Sequence, residues 1–364
     1  MAYTVPSRRQ NMLRSPLVHG AVTLLIGAAG GLVFFLLHLP LPWVLGSITS
    51  SVFFSRTVKH RPRLPGIWRS YAMVAIGTML GAGFTPDVMA RSGAWLVSLI
   101  AMSLLSLVFG LFAYTVFRRW GKMGRSTALF AAMPGGLAVV SMLAEDYKTE
   151  VNRVVLCHSA RLVVLLVFAP IVIQWISGID VADAGRGALA SSPIDDPLGY
   201  GAIALATVCS WLLANRFKFP SAMLLLPLAI SAILHATGAI SASVPLIVAI
   251  FAQIVIGSNV AERFAGYGIR QIIHDGWLAA VVGIVLAFGS LAAASLMAPI
   301  TGIKIAPLFL AYLPGGAPEL GVVALSLMID PAMVAAHHVL RVILIVSILP
   351  VLAGWTVQRR KPRP

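Results

Sequence analysis

Two stretches of this chain carry the same chemically loaded residues at the same spacing. Pro134, Gly135 and Gly136 are followed by His158 and Arg161, 24 and 27 residues after the proline. Pro314, Gly315 and Gly316 are followed at the same distances by His338 and Arg341, each 180 residues beyond its counterpart. Pro170 and Pro350 extend the register without a gap. Proline removes a backbone donor and Gly-Gly disfavours helix, so each stretch predicts a break inside very apolar sequence. A break frees amides and carbonyls, and a helix restarting after it presents the positive end of its dipole. With an arginine nearby, such an end suits a carboxylate or another anionic group. Plainer readings stand beside this one. Gly-Gly lets crossing helices approach closely, and Arg161 and Arg341 bond to the freed carbonyls.

His158 and Arg161 are three residues apart and share a helix face, as do His338 and Arg341. The histidines are either proton acceptors near neutral pH or buried, hydrogen-bonded structural groups. His337 has Cys157 as its counterpart and carries less weight. Of the 12 acidic residues, Glu319 is the one that falls inside an apolar run, three residues after Gly316. A membrane carboxylate carries a proton, helps bind a cation, or neutralises a neighbour such as Arg341. Val139 stands at the matching position, so any acidic function belongs to the second half alone. No residue is assigned a catalytic or metal-binding role. The candidate binding residues are Pro134, Gly135, Gly136, His158, Arg161, Pro314, Gly315, Gly316, Glu319, His338 and Arg341.

The elements that must hold these residues are membrane helices. Hydrophobic residues make up 59% of the 364 and charged residues 11%, against about 25% charged in soluble domains. The net charge of +15 comes from short basic clusters between apolar runs, the positive-inside pattern. No soluble module exists to carry nucleic-acid binding. Arg8, Arg9 and Arg14 precede an apolar run from Leu17 to His38 that reads as an uncleaved first helix. Cys157 and Cys209 lie in apolar segments, which argues against a disulfide framework.

Each half divides into six apolar segments, 17–38, 43–55, 67–84, 94–117, 126–144 and 151–176, then 199–214, 221–235, 243–260, 276–298, 305–328 and 331–356. Residues 1–180 form the first repeat, 181–198 an acidic connector and 199–364 the second repeat. If all twelve segments cross, the halves are parallel. If the Pro-Gly-Gly segments enter and return on one side, each half crosses five times and the second is inverted. The inverted scheme leaves only Arg91, Arg186 and Lys304 outside, together with Asp180, Asp183, Asp195 and Asp196, and satisfies the charge bias better. The expected fold is therefore an all-α integral membrane protein, an inverted repeat of 5 + 5 helices with a broken or re-entrant segment in each half. A helix entering near Val151 puts Arg161 about 15 Å deep. A softer echo relates Gly77–Gly81 to Ala252–Gly257 at a shift of 176, and Pro40 and Leu45 match Pro220 and Leu225. Gln253, Ser258 and Asn259 read equally as cavity residues or as helix–helix bonds.

The stretches MPGGLAVVSMLAEDYKTEVNRVVLCHSARLVVLLVFAP and LPGGAPELGVVALSLMIDPAMVAAHHVLRVILIVSILP resemble the duplicated halves of AbrB-type bacterial membrane proteins. The resemblance covers nearly the whole chain. It implies a protein of the bacterial inner membrane, transporter-like, while the charge count of the inverted scheme places both termini in the cytoplasm. Family labels such as ammonia monooxygenase or regulator fit these residues poorly, and the chain does not resemble the DNA-binding regulator of the same name. The leading expectation is a secondary transporter of a small organic anion, coupled to protons or sodium, using no other cofactor. Its partners are the lipid bilayer, the solute and, by analogy, a second copy. A regulatory or sensor protein is the alternative. An oxidoreductase is disfavoured because His337 and His338 point about 100° apart on a helix and only Glu319 could join them in a metal site.

Overall fold

The computed structural model describes residues 16–58, 60–134, 136–147, 149–181, 197–217, 219 and 221–356. Most of the acidic connector, Gly135 and Pro220 lie outside the described residues. In chain order the helices are α1 Pro16–Leu36, α2 Pro42–Thr57, α3 Gly66–Ala82, α4 Pro86–Arg91, α5 Trp95–Arg119, α6 Arg125–Ala132, α7 Leu137–Glu145 and α8 Val151–Ser177. They continue as α9 Pro197–Arg216, α10 Ala222–Ala236, α11 Leu246–Phe264, α12 Ile269–Gln271, α13 Trp277–Thr301, α14 Ile305–Tyr312, α15 Ala317–Ser326 and α16 Pro331–Thr356. Among the described residues seven stretches are long and apolar enough to cross a membrane: α1, α8, α9, α11, most of α16, and the runs Pro86–Arg119 and Ile269–Thr301. Helices α2, α3 and α10 have 16, 17 and 15 residues, about 22–26 Å at 1.5 Å per residue.

The second set of helices reproduces the first down to its backbone irregularities. Helices α3, α6, α7 and α8 each begin 180 residues before α11, α14, α15 and α16. Leu41 and Ser221, one residue before α2 and α10, both adopt left-handed backbone, with φ 48° and 64°. A β-carbon on Gly77 would fall 2.4 Å from the Leu224 carbonyl, and one on Gly257 would fall 2.5 Å from the Val44 carbonyl. The structural equivalence is therefore Gly77 with Gly257, again at 180. The shift of 176 aligned the wrong glycine of the pair. Both glycines are fixed by the closeness of the crossing helix.

The predicted breaks are present and have the same cause. Met133 and Leu313 precede prolines, and both are turned out of helix to ψ 127°, as the ring of a following proline demands. Each break separates two short arms, of 8 and 9 residues in α6 and α7 and of 8 and 10 in α14 and α15. Such arms are about 12–15 Å long, half a bilayer core. The arms fold back on each other. The Phe130 and Tyr147 rings lie 5.3 Å apart, and the Glu150 amide donates to Thr127 Oγ1 at 3.1 Å. The chain thus leaves the α6–α7 hairpin at the level where it entered.

Contacts at the two ends of the bundle fix helix directions. At one end Arg153, starting α8, bonds Asp275 at 2.9 Å just before α13, and the Gly121 carbonyl just after α5. At the other end a cavity of about 850 Å³ is shared by Trp95 at the start of α5, Ser177 at the end of α8, Thr301 at the end of α13, and Lys304 and Asp330. Helices α1–α3 pack chiefly with α9–α11, and α5–α8 chiefly with α13–α16. The hairpins belong to the second group.

Candidate functional site

Each hairpin turn leaves backbone carbonyls at the end of its first arm without intrahelical donors. The neighbouring long helix supplies them. His158 Nε2 donates to the Phe130 carbonyl at 2.9 Å, and Arg161 donates to the carbonyls of Ala132 and Met133, each at 3.3 Å. With Nε2 protonated, His158 Nδ1 accepts from Arg161 Nη2 at 3.1 Å. The second half repeats this. His338 Nε2 donates to Leu310 at 3.1 Å, and Arg341 donates to Leu313 and, at 2.8 Å, to Gly315. Both guanidiniums are buried, 3% and 1% exposed. A cation at the negative end of α6 or α14 is also favoured by the helix dipole. The plain reading of these four residues as carbonyl partners is thus the observed geometry. The halves differ in two respects: Arg341 reaches Leu313 and Gly315 where Arg161 reaches Ala132 and Met133, and among the described residues His338 Nδ1 and Arg341 Nε are buried without a partner.

The tips of the two hairpins meet at a cavity of about 230 Å³. Its walls include Gly136, His158, Arg161, Pro314, Gly315, Gly316 and Glu319. Pro134, His338 and Arg341 are not among its lining residues, so the expectation that both arginines face one chamber is met by Arg161 alone. Arg341 stands behind the second turn, holding the carbonyl of the lining residue Gly315. The restarting ends of α7 and α15, at Gly136 and Gly316, face the cavity as the broken-helix argument requires. Met73, Ser221, Leu224 and Arg263 close the cavity from α3, α10 and α11. It therefore lies between the two groups of helices.

Glu319 does not neutralise Arg341. Its Oε1 lies 3.4 Å from Nη2 of Arg263, with side-chain exposures of 4% and 18%. The carboxylate folds back over the start of α15, and a β-carbon on Gly316 would fall 1.9 Å from Glu319 Oε2. Gly316 has φ −74°, so no left-handed backbone requires glycine here, and the Glu319 carboxylate fills the space a side chain would take. Gly136 meets nothing within 4 Å.

Arg263 is the site residue that sequence reasoning missed. The apolar segment 243–260 stops three residues short of Arg263, whereas α11 continues to Phe264. The helical spacing from Ile256 through Val260 to Arg263 was the available signal. Gln253, Ser258 and Asn259 do not line the cavity. Ser258 packs against the α1 glycine Gly27, and Asn259 accepts from Arg69 at 3.4 Å, so these two serve helix contacts. His337 belongs to a buried network in which its Nε2 meets Ser98 Oγ at 2.8 Å and Ser98 meets the Tyr312 hydroxyl at 3.0 Å.

Helices of this length and apolarity, in two matching sets, define a multi-pass α-helical membrane protein. The chain belongs to the AbrB family, described as "Transition state regulatory protein AbrB", which matches residues 43–357. It is similar to a Bacillus subtilis (strain 168) protein named "Uncharacterized protein YhjN", 24% identical over 89% of this chain and 90% of that one. It is also similar to "Putative regulator AbrB" of Escherichia coli (strain K12), 22% identical over 88% of this chain and 92% of the relative.

Proposed function

We propose that the protein is a secondary transporter of a small organic anion in the bacterial cytoplasmic membrane, working by alternating access around an inverted repeat. The observation that carries this reading is the meeting of two broken hairpins at a small cavity lined by Arg161 and Arg263. Broken helices at mid-depth, with restarting ends aimed at a shared cavity, suit an anionic solute. A cavity of about 230 Å³ is below the usual range for drug-sized ligands, which favours a molecule of a few carbons.

Inversion of the halves is supported by the ends of the bundle. Helix α13 begins at the Arg153 end, where α5 finishes, and ends beside Trp95, where α5 starts. Helix α8 ends at the level where α16 begins. These two counterpart pairs support opposite directions for the halves, read as five crossings in each half and one re-entrant hairpin from each side. The Arg153 end also carries Arg118, Arg119 and Lys122, and the opposite end Arg91 and Lys304. The positive-inside bias then makes the Arg153 end cytoplasmic, with both termini there. Coupling is to protons or sodium, no other cofactor takes part, and the protein is not an enzyme. A homodimer is the assembly favoured by analogy.

A comparison of small anions inside and outside cells that carry or lack the protein tests this reading. A specific organic anion should shift its distribution with the protein present, and Arg161→Gln should abolish the shift. Unchanged anion pools would remove the transport reading. A regulatory phenotype that persists when the shifted anion is supplied would favour signalling, the role suggested by the name of the Escherichia coli relative.

A further inference from the structure

The cavity between the hairpin tips already contains one carboxylate, and it is the chain's own. Glu319 is presented by α15 of the hairpin group and meets Arg263 of α11, which belongs to the other group of helices. We propose that Arg263 recognises one carboxylate of a small dicarboxylate, that Glu319 occupies this place when the cavity is empty, and that the incoming carboxylate displaces Glu319 as it takes up one proton. This deepens the anion-carrier reading and rests on it.

Three observations carry the proposal. The first is the geometry of the pair. A single oxygen meets a single nitrogen at 3.4 Å, which leaves the rest of the guanidinium fork free for a bidentate carboxylate. The second is the charge around the cavity. Among the described residues Arg161, Arg263 and Arg341 face or back the site with Glu319 as the one anion, and the partners of Arg161 and Arg341 are backbone carbonyls and the His158 ring. The site therefore carries an excess of two positive charges, which burial makes costly. The third is the wall. Leu137, Leu162 and Leu224 line it and would accept the methylenes between two carboxylates.

The proton follows from crowding. Arg161 and Arg341 stay committed to backbone carbonyls, so the entering carboxylate and Glu319 crowd the one guanidinium of Arg263, and one of them takes a proton. Glu319 is the one that stays with the chain. The charged or titratable groups facing it are Arg263 from α11, His158 and Arg161 from α8, and Arg341 behind the turn from α16. Among the described residues, α3 and the start of α10 contribute the uncharged Met73, Ser221, Met223, Leu224 and Leu225. A monocarboxylate arriving with a proton leaves the excess charge unchanged, whereas a dicarboxylate with a proton reduces it. The cavity thus discriminates in favour of the dicarboxylate.

Calorimetric titration of the purified full-length protein tests this. The probes are malonate, succinate and glutarate, with butyrate as the monocarboxylate, at pH 6, 7 and 8 in buffers of different protonation enthalpy. A dicarboxylate should bind with close to one proton taken up, its affinity weakening by up to about tenfold per unit of rising pH. Glu319→Gln should abolish the proton uptake and bind at least as tightly at pH 8 as the unaltered protein does at pH 6. Arg263→Gln should weaken binding by about tenfold or more. The proton count on the unaltered protein stands even if that variant fails to fold. Dicarboxylate binding with no proton uptake and no response to Glu319→Gln would overturn the exchange and leave the carrier reading intact. Binding of butyrate alone would overturn the substrate class, and binding of none of the probes would remove both proposals.

Discussion

Arg341 reaches the carbonyls of Leu313 and Gly315 with two different nitrogens. Only a planar fork addresses both at once, so lysine is not an equivalent replacement. Arg341→Lys should lower thermal stability in detergent, and Arg341→Met should lower it further, because each buried carbonyl left bare costs about 1–3 kcal/mol. Equal melting temperatures for the three proteins would show that the turn does not depend on the guanidinium. The same reasoning explains what was legible at this scale. The fixed spacing from Pro-Gly-Gly to His and Arg marked the residues of both clamps, because a helix face and a helix break are sequence-local facts, but it left carbonyl bonding and anion binding as competing readings. The partner of Glu319 was not legible. Arg263 lies 56 residues away in sequence and one helical turn beyond the apolar run, where a charge reads as a loop residue.

The two hairpins are the elements on which the account turns. Their breaks were legible because a proline forbids helix at the preceding residue, and both Met133 and Leu313 obey. Their return path was not. Hydropathy gives the same signal for an 8-residue arm that continues and one that turns back, and only the balance of basic residues between the two sides favoured a return. Single cysteines at Gly124, Glu150, Lys304 and Asp330, in a background lacking Cys157 and Cys209, separate the cases. A membrane-impermeant thiol reagent applied outside cells should label the positions at 304 and 330 and spare those at 124 and 150. Opposite accessibility within either pair would mean that the hairpin crosses. The glycine crossings teach the complementary lesson. Sequence similarity paired Gly81 with Gly257, but the helix each glycine touches pairs Gly257 with Gly77.

At the scale of the whole molecule, one group of helices is built from α1–α3 and α9–α11 and the other from the hairpins and the long helices that clamp them. The cavity lies between the groups, and the Arg263–Glu319 pair joins them. A carrier of this construction exposes its solute to the two sides by moving one group against the other. Gly83 and Ala332 meet on opposite sides of that boundary, where a β-carbon on Gly83 would lie 3.5 Å from that of Ala332, within the range of a disulfide. The most direct measurement is uptake into proteoliposomes from a mixture of small mono- and dicarboxylates, with the lumen read by mass spectrometry. The unaltered protein should accumulate at least one anion. The Gly83→Cys, Ala332→Cys protein should stop doing so when oxidised and resume when reduced. A lumen indistinguishable from that of protein-free liposomes would contradict the carrier outright, and uptake indifferent to the cross-link would contradict the movement proposed to drive it.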